Sequence, residues 1–178
     1  MHCLAPSGAG KSTLIKAMLS MTKLEGKVHL PQQKYPIAYV PQDDAVHLSL
    51  TVMQALDYAC QLRCKVLSKL NSLKYIEAIA KEVGLNERLD LRIKSLSGGQ
   101  RKRVSVALEM LTKPTFMILD EPTSGLDPGM EAQLMQLFAS IAKQYKILFF
   151  HRKDKQSLWY MELENSLRKV KGDKDKKF

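Results

Sequence analysis

No run in these 178 residues approaches the ~20 consecutive apolar side chains that a membrane-crossing helix needs. Met1-His2-Cys3-Leu4 lacks the charged start and apolar middle of a secretory signal, so the chain is expected in the cytosol unless something else holds it at a membrane. Cysteine is scarce. Cys3, Cys60 and Cys64 are odd in number, and no histidine or second cysteine pair completes a zinc site beside Cys60 and Cys64. Buried reduced thiols are the reading that fits them. Proline is absent between Pro41 and Pro114, which suits a helical block inserted between two parts of a sheet. No internal repeat or low-complexity tract precedes the lysine-rich end, so solenoid and array architectures drop out.

What is present is an ordinary globular balance. Apolar residues make up 45% and charged residues 26%, in a length that holds one domain with a core. The unusual quantity is a net charge of +10. Such a balance can attract nucleic acid, anionic lipid or nucleotide phosphate. Arg152, Lys153, Lys155, Arg168, Lys169, Lys171, Lys174, Lys176 and Lys177 supply part of it, and that run reads as a solvated terminus before it reads as a binding patch.

The segment Ser7-Gly8-Ala9-Gly10-Lys11-Ser12-Thr13 lies near the start, and the residues before it suffice for the end of a strand. Leu14, Ile15, Met18 and Leu19 recur at helical spacing and predict a helix from near Lys11. After Gly26, Lys27 to Leu30 and Ile37 to Val40 read as short strands, the second ended by Pro41. From about Thr51 to Val83 the period is helical. Val52, Ala55, Leu56, Ala59 and Leu62 form one stripe, Leu73, Ile76, Ile79, Ala80 and Val83 another, and Gly84 a stop. Ser97-Gly98-Gly99 opens a further helix carrying Val104, Ala107, Leu108 and Leu111. Phe116-Met117-Ile118-Leu119, closed by Asp120, is the pattern of a buried parallel strand. A helix from about Met130 to Ala142 and the apolar run Ile147 to Phe150 follow. The alternation predicts an α/β domain with a mainly parallel sheet.

The phosphate-loop pattern is G-x-x-x-x-G-K-[ST]. Ala5 stands at its first glycine, whereas Gly10, Lys11 and Ser12 fit. Small residues at Gly8, Ala9 and Gly10 let backbone N–H groups turn inward on phosphates, and the following helix offers its positive N-terminus. Lys11 would reach the β- and γ-phosphates, and the Ser12 hydroxyl would ligate Mg²⁺. Ala5 requires that its position avoid positive φ, where a Cβ is costly. Asp120, at the end of its strand, would face the phosphates and orient Mg²⁺ through water. Glu121, one residue on, is placed as the general base that polarises the attacking water. Each motif has a plainer reading, a flexible Gly/Ser turn or a strand-ending Asp-Glu-Pro turn. The combination favours the nucleotide.

In chain order this loop, Gln42, Leu-Ser-Gly-Gly-Gln (Leu96 to Gln100) and Leu-Asp-Glu-Pro-Thr-Ser-Gly-Leu-Asp (Leu119 to Asp127) resemble the nucleotide-binding domain of ATP-binding cassette (ABC) proteins, over roughly Leu4 to Met135. Tyr39 to Asp44 and Gln100 to Glu109 are most similar to the G-type exporter branch, and to bacterial cassettes fused to a forkhead-associated module. The resemblance implies a P-loop NTPase fold with an inserted helical subdomain. That subdomain would cover about 45–112 within an ATP-binding domain of 1–150, followed by a basic, divergent tail of 151–178. It implies an ATPase using ATP and Mg²⁺, with Glu121, Lys11, Gln42 and His151 catalytic. Ser7, Gly8, Ala9, Gly10, Lys11, Ser12 and Thr13 would hold one nucleotide, and Ser97, Gly98, Gly99 and Gln100 the γ-phosphate bound by a second cassette. Ser12, Gln42 and Asp120 would serve the metal. Ser124 to Asp127 would lie along the seam of this head-to-tail nucleotide-sandwich dimer. The implied partners are that second cassette and a transmembrane permease domain on another chain, with no nucleic acid. The implied location is peripheral, on the inner face of the cell membrane.

The sequence departs from the family at both ends. The strands that precede the phosphate loop, with the aromatic residue that stacks on adenine, have no counterpart here. Beyond His151, the candidate γ-phosphate histidine, Trp159, Tyr160 and a lysine-rich end replace further strands and a helix. The chain therefore reads as a cassette truncated at both ends. Two other functions stay open beside a transport ATPase. One is a cassette that binds nucleotide with little or no turnover. The other is an ABC-type ATPase acting on DNA or ribosomes, although the long coiled coils or second cassette of such proteins are not in this sequence.

Overall fold

Four parallel strands lie side by side in the order β1-β4-β3-β2, where β1 is His2–Ala5, β2 Ile37–Val40, β3 Phe116–Asp120 and β4 Lys146–Arg152. These belong to a computed structural model that describes residues 2–5, 10, 13, 16, 17, 19, 37–64, 69–142 and 144–152. The strand expected at Lys27 to Leu30 and the basic tail from 153 onward fall outside the described residues. β4 runs two residues past the expected Phe150, which brings His151 into the strand instead of after it. Ala5 is the last residue of β1, paired with Arg152, an extended position at which a Cβ is no burden.

Parallel strands need helical crossovers, and the helices have readable causes. α1, Val52–Arg63, starts at a reciprocal cap: Thr51 Oγ1 accepts from Gln54 N–H at 3.1 Å and Gln54 Oε1 accepts from Thr51 N–H at 2.9 Å. It buries Val52, Ala55, Leu56 and Cys60. Leu62, expected in the same stripe, lies in the last turn and is 86% exposed. α2, Lys69–Glu82, buries Ile76, Ile79 and Ala80. It stops at Gly84, whose φ of +72° lets Leu85 N–H reach Ala80 O (2.7 Å) and Gly84 N–H reach Lys81 O (3.1 Å). The orphan carbonyl of Val83 accepts from Arg103 Nη1 at 2.7 Å.

α3, Gly98–Met110, is buried on most sides, as a helix enclosed by others must be. α4 spans Pro128–Ile141 and begins two residues before the expected Met130. Asp127 caps it, accepting from Gly129 and Met130 N–H at 3.0 Å each, and Pro128 fits the first turn because its missing N–H would be unpaired there anyway. One core joins these helices to the sheet. Ala38 pairs with Met117 and Val40 with Leu119, and all four point into that core with Leu134, Leu137, Phe138 and Ile141 of α4.

Alternation along the strands assigns the opposite face. Tyr39 pairs with Ile118, and around Ile118 pack Tyr39, Phe116 and Leu19. Leu19 belongs to the segment after the Gly-rich loop, within which Thr13, Lys16 and Ala17 are helical. Asp120, two residues beyond Ile118, therefore projects from the face that this segment covers.

Candidate functional site

The carboxyl ends of the strands are where an open parallel sheet offers a crevice. At that edge Asp120 and Cys3 both pair with Phe150, and His151 pairs with Leu4 one step further on. The backbone of His151 thus stands between the exit of β1, which leads into the Gly-rich loop, and the exit of β3, which carries Asp120 and Glu121. Gly10 has φ of +74°, a left-handed conformation suited to a residue without Cβ, and it is exposed together with Thr13. Ser7, Gly8, Ala9, Lys11 and Ser12 lie outside the described residues.

Asp120 is 1% exposed. Its Oδ2 accepts a hydrogen bond from the Tyr39 hydroxyl at 3.1 Å, whereas Oδ1 is buried with no hydrogen-bond partner among the described residues. An ionised oxygen left so would be expensive, and a cation or its bound water is the chemistry that satisfies it. Glu121 follows with φ of +43°, a left-handed position that is unfavourable for a residue with Cβ by roughly 1–2 kcal/mol. It is 7% exposed, and its carbonyl closes a turn by accepting from Ser124 N–H at 3.0 Å. Backbone strain of this kind next to a buried carboxylate is a mark of function.

Gln42 is exposed just past β2 and donates from Nε2 to Ser124 Oγ at 3.4 Å. Its loop is therefore tied to the loop after Glu121. Ser97 caps α3. Its Oγ accepts from Gln100 N–H at 3.3 Å, and Gln100 Oε1 accepts from Ser97 N–H at 3.0 Å, so the Gln100 side chain serves the helix cap. A Cβ on Gly98 would stand 3.1 Å from Leu126 Cδ2, and one on Gly99 3.3 Å from Met130 Sδ. The start of α3 is thus packed onto the segment that follows Glu121.

The geometry brings together Asp120, Glu121, Gln42 and the backbone of His151, and it sets Ser97 to Gln100 at the start of a separate helix. Two residues that the motifs did not single out also belong here. Tyr39 orients Asp120, and Lys102, inside α3, holds the Gln42 loop by three contacts taken up below. A tyrosine one residue before the end of β2, on the same face as Asp120, was the available signal for the first.

Residues 3–124 match the model of the ABC transporter family. This chain belongs to that family. The cassette is 42% identical over 156 residues to an ABC transporter ATP-binding/permease protein of Mycobacterium tuberculosis, covering 82% of this chain and 18% of that protein. It is 37% identical over 154 residues to ABC transporter G family member 21 of Arabidopsis thaliana, covering 79% of this chain and 23% of the relative. The chain thus spans about a fifth of the length of these curated relatives. A structure described as an inward-facing conformation of a metal-chelate type ABC transporter superposes with TM-score 0.71 at 22% identity, over 86% of the cassette and 62% of that chain, and it shows the fold. The G-type likeness read from Tyr39 to Asp44 and Gln100 to Glu109 agrees with these relatives, and the α/β class with a parallel sheet agrees with the neighbour. No helix among the described residues is long and apolar enough to cross a membrane.

Proposed function

We propose that this cassette hydrolyses ATP as one half of a head-to-tail nucleotide-sandwich dimer and drives a transmembrane permease domain from the inner face of the membrane. The observation that supports it most is the Asp120 carboxylate. One oxygen is held by Tyr39, the other is buried with no hydrogen-bond partner among the described residues, and both belong to the last residue of β3, between β4 and β2 in the sheet. In this reading Asp120, Gln42 and Ser12 hold Mg²⁺. Bound there, the cation would neutralise charge on the β- and γ-phosphate oxygens.

The chain's own residues do the rest. Lys11 and the backbone N–H groups from Ser7 to Thr13 grip the phosphates. Gln42 orients the water, and the Glu121 carboxylate takes its proton as the water oxygen attacks phosphorus and the bridging oxygen leaves with ADP. His151 contacts the γ-phosphate from the end of β4. Ser97, Gly98, Gly99 and Gln100 would meet the γ-phosphate of the opposite protomer at the positive start of α3. The remaining region of about 45–112 would act as the helical subdomain.

The test is ATPase activity of the purified chain across protein concentrations. A site shared between two protomers gives a rate that rises faster than linearly. A Glu121→Gln protein that binds ATP but neither dimerises nor slows in hydrolysis would sink the proposal. Tight ATP binding with negligible turnover would instead mark a binding-only cassette.

A further inference from the structure

Lys102 carries an ammonium that is buried to 5% exposure, in the second turn of the helix that Ser97 caps. A buried ammonium is tolerated only when its donors are satisfied and its charge is paired. Here Nζ donates to Gln42 O at 2.8 Å, to Pro41 O at 3.2 Å and to Asp44 Oδ1 at 2.8 Å. All three partners are in the loop that follows β2, about 60 positions earlier in the chain. Ser105 Oγ, also on α3, donates to Asp44 Oδ1 at 3.3 Å, and Arg101 Nε stands 3.9 Å from Asp44 Oδ2. Three side chains of one helix thus grip one loop through its carbonyls and its single inward carboxylate.

We propose that Lys102 is the positioning residue that fixes the Gln42 loop to α3, so that Gln42 and the Ser97–Gln100 helix start move as one body. The inference rests on the function proposed above and names a coupling inside that site. Lys102 touches the backbone of Gln42 and leaves its amide for the water and cation. The amide in turn reaches Ser124, three residues after Glu121. A phosphate that draws in the start of α3 therefore carries the Gln42 loop with it toward Ser124 and Glu121.

The experiment compares Lys102→Met, which keeps the length and removes the charge, with Lys102→Arg, which keeps it, in the full 178-residue chain. Amide hydrogen exchange of residues 42–46 is read without nucleotide, and steady-state ATPase with Mg-ATP. In Lys102→Met, exchange in 42–46 rises at least about tenfold while the start of α3 stays protected, kcat falls more than about tenfold and KM for ATP moves less than about threefold. Lys102→Arg recovers at least half of the lost loop protection. Unchanged exchange and kcat in Lys102→Met overturn the proposal, as does a KM effect without a kcat effect. If Lys102→Met does not fold, Asp44→Asn and Ser105→Ala, which weaken the same grip from its other members, must raise loop exchange for the proposal to stand. A wild-type chain that binds no ATP would defeat the functional reading alone, because the exchange comparison without nucleotide still decides the clamp.

Discussion

The hydroxyl of Tyr39 donates a 3.1 Å hydrogen bond to Oδ2 of Asp120 across two adjacent parallel strands, one pleat beyond its register partner Ile118. Burial, and then the charge and hydrogen bond of Asp120, hold the phenol well above its ordinary pKa. The protonated phenol is the donor that this bond to Asp120 requires. The other carboxylate oxygen is buried with no hydrogen-bond partner among the described residues.

Tyr39→Phe leaves Asp120 buried with neither oxygen partnered among the described residues. Unfolding by urea without nucleotide should show a loss of about 1–3 kcal/mol, the usual result of orphaning a buried polar group. Added Mg-ATP should recover part of that loss by mass action. A variant as stable as wild type would show that the phenol is not what holds Asp120.

Glu121→Gln preserves size and the left-handed backbone and removes only the basicity. Hydrolysis should fall by roughly 10²-fold or more while ATP affinity, measured by titration, stays within about twofold. Retained turnover would remove Glu121 from the role of base.

Gly98→Ala and Gly99→Ala separate packing from recognition. The added methyl meets flexible side-chain atoms of Leu126 or Met130, so thermal stability should change by less than about 1 kcal/mol in either direction. ATP-dependent dimerisation of the Glu121→Gln protein, followed by size-exclusion chromatography, should nevertheless be lost. Dimers of normal strength would mean that this helix start does not approach a phosphate.

Glu82 supplies a pH dependence. Burial raises its carboxyl pKa, and its Oε1 has no hydrogen-bond partner among the described residues. A carboxyl whose folded pKa lies above its unfolded value favours the native state when protonated. That advantage is complete below the unfolded pKa and is lost as pH rises through the folded one. Glu82→Gln should therefore raise the melting midpoint at pH 7 relative to wild type and lose that gain at pH 4. Equal shifts at both pH values would point to packing instead of charge.

Much of the fold was legible because the signals are local. The four-residue apolar run before Asp120, the Gly84 stop and the Ser97 helix start each depend on neighbours within a few positions, and each is where the sequence put it. The exposure of Leu62 and the extent of β4 differ from expectation for a shared reason. Whether the last turn of a helix is covered, or a strand continues two residues further, depends on elements distant in the chain. Of the candidate site, Ser7, Gly8, Ala9, Lys11 and Ser12 stand on the motif alone, whereas Asp120, Glu121 and Gln42 also have a geometry.

By itself the sequence determined the family, the alternation of strands and helices, and the carboxylates at the end of one strand, because motif spacing and side-chain periodicity are written in consecutive residues. Only the tertiary structure decided which groups hold those residues in place. Tyr39 reaches Asp120 because their strands lie side by side in one register, and Lys102 reaches Gln42 because a buried ammonium must find oxygens wherever the fold supplies them. Such pairings lie some 60 to 80 residues apart in the chain, and no local pattern encodes them.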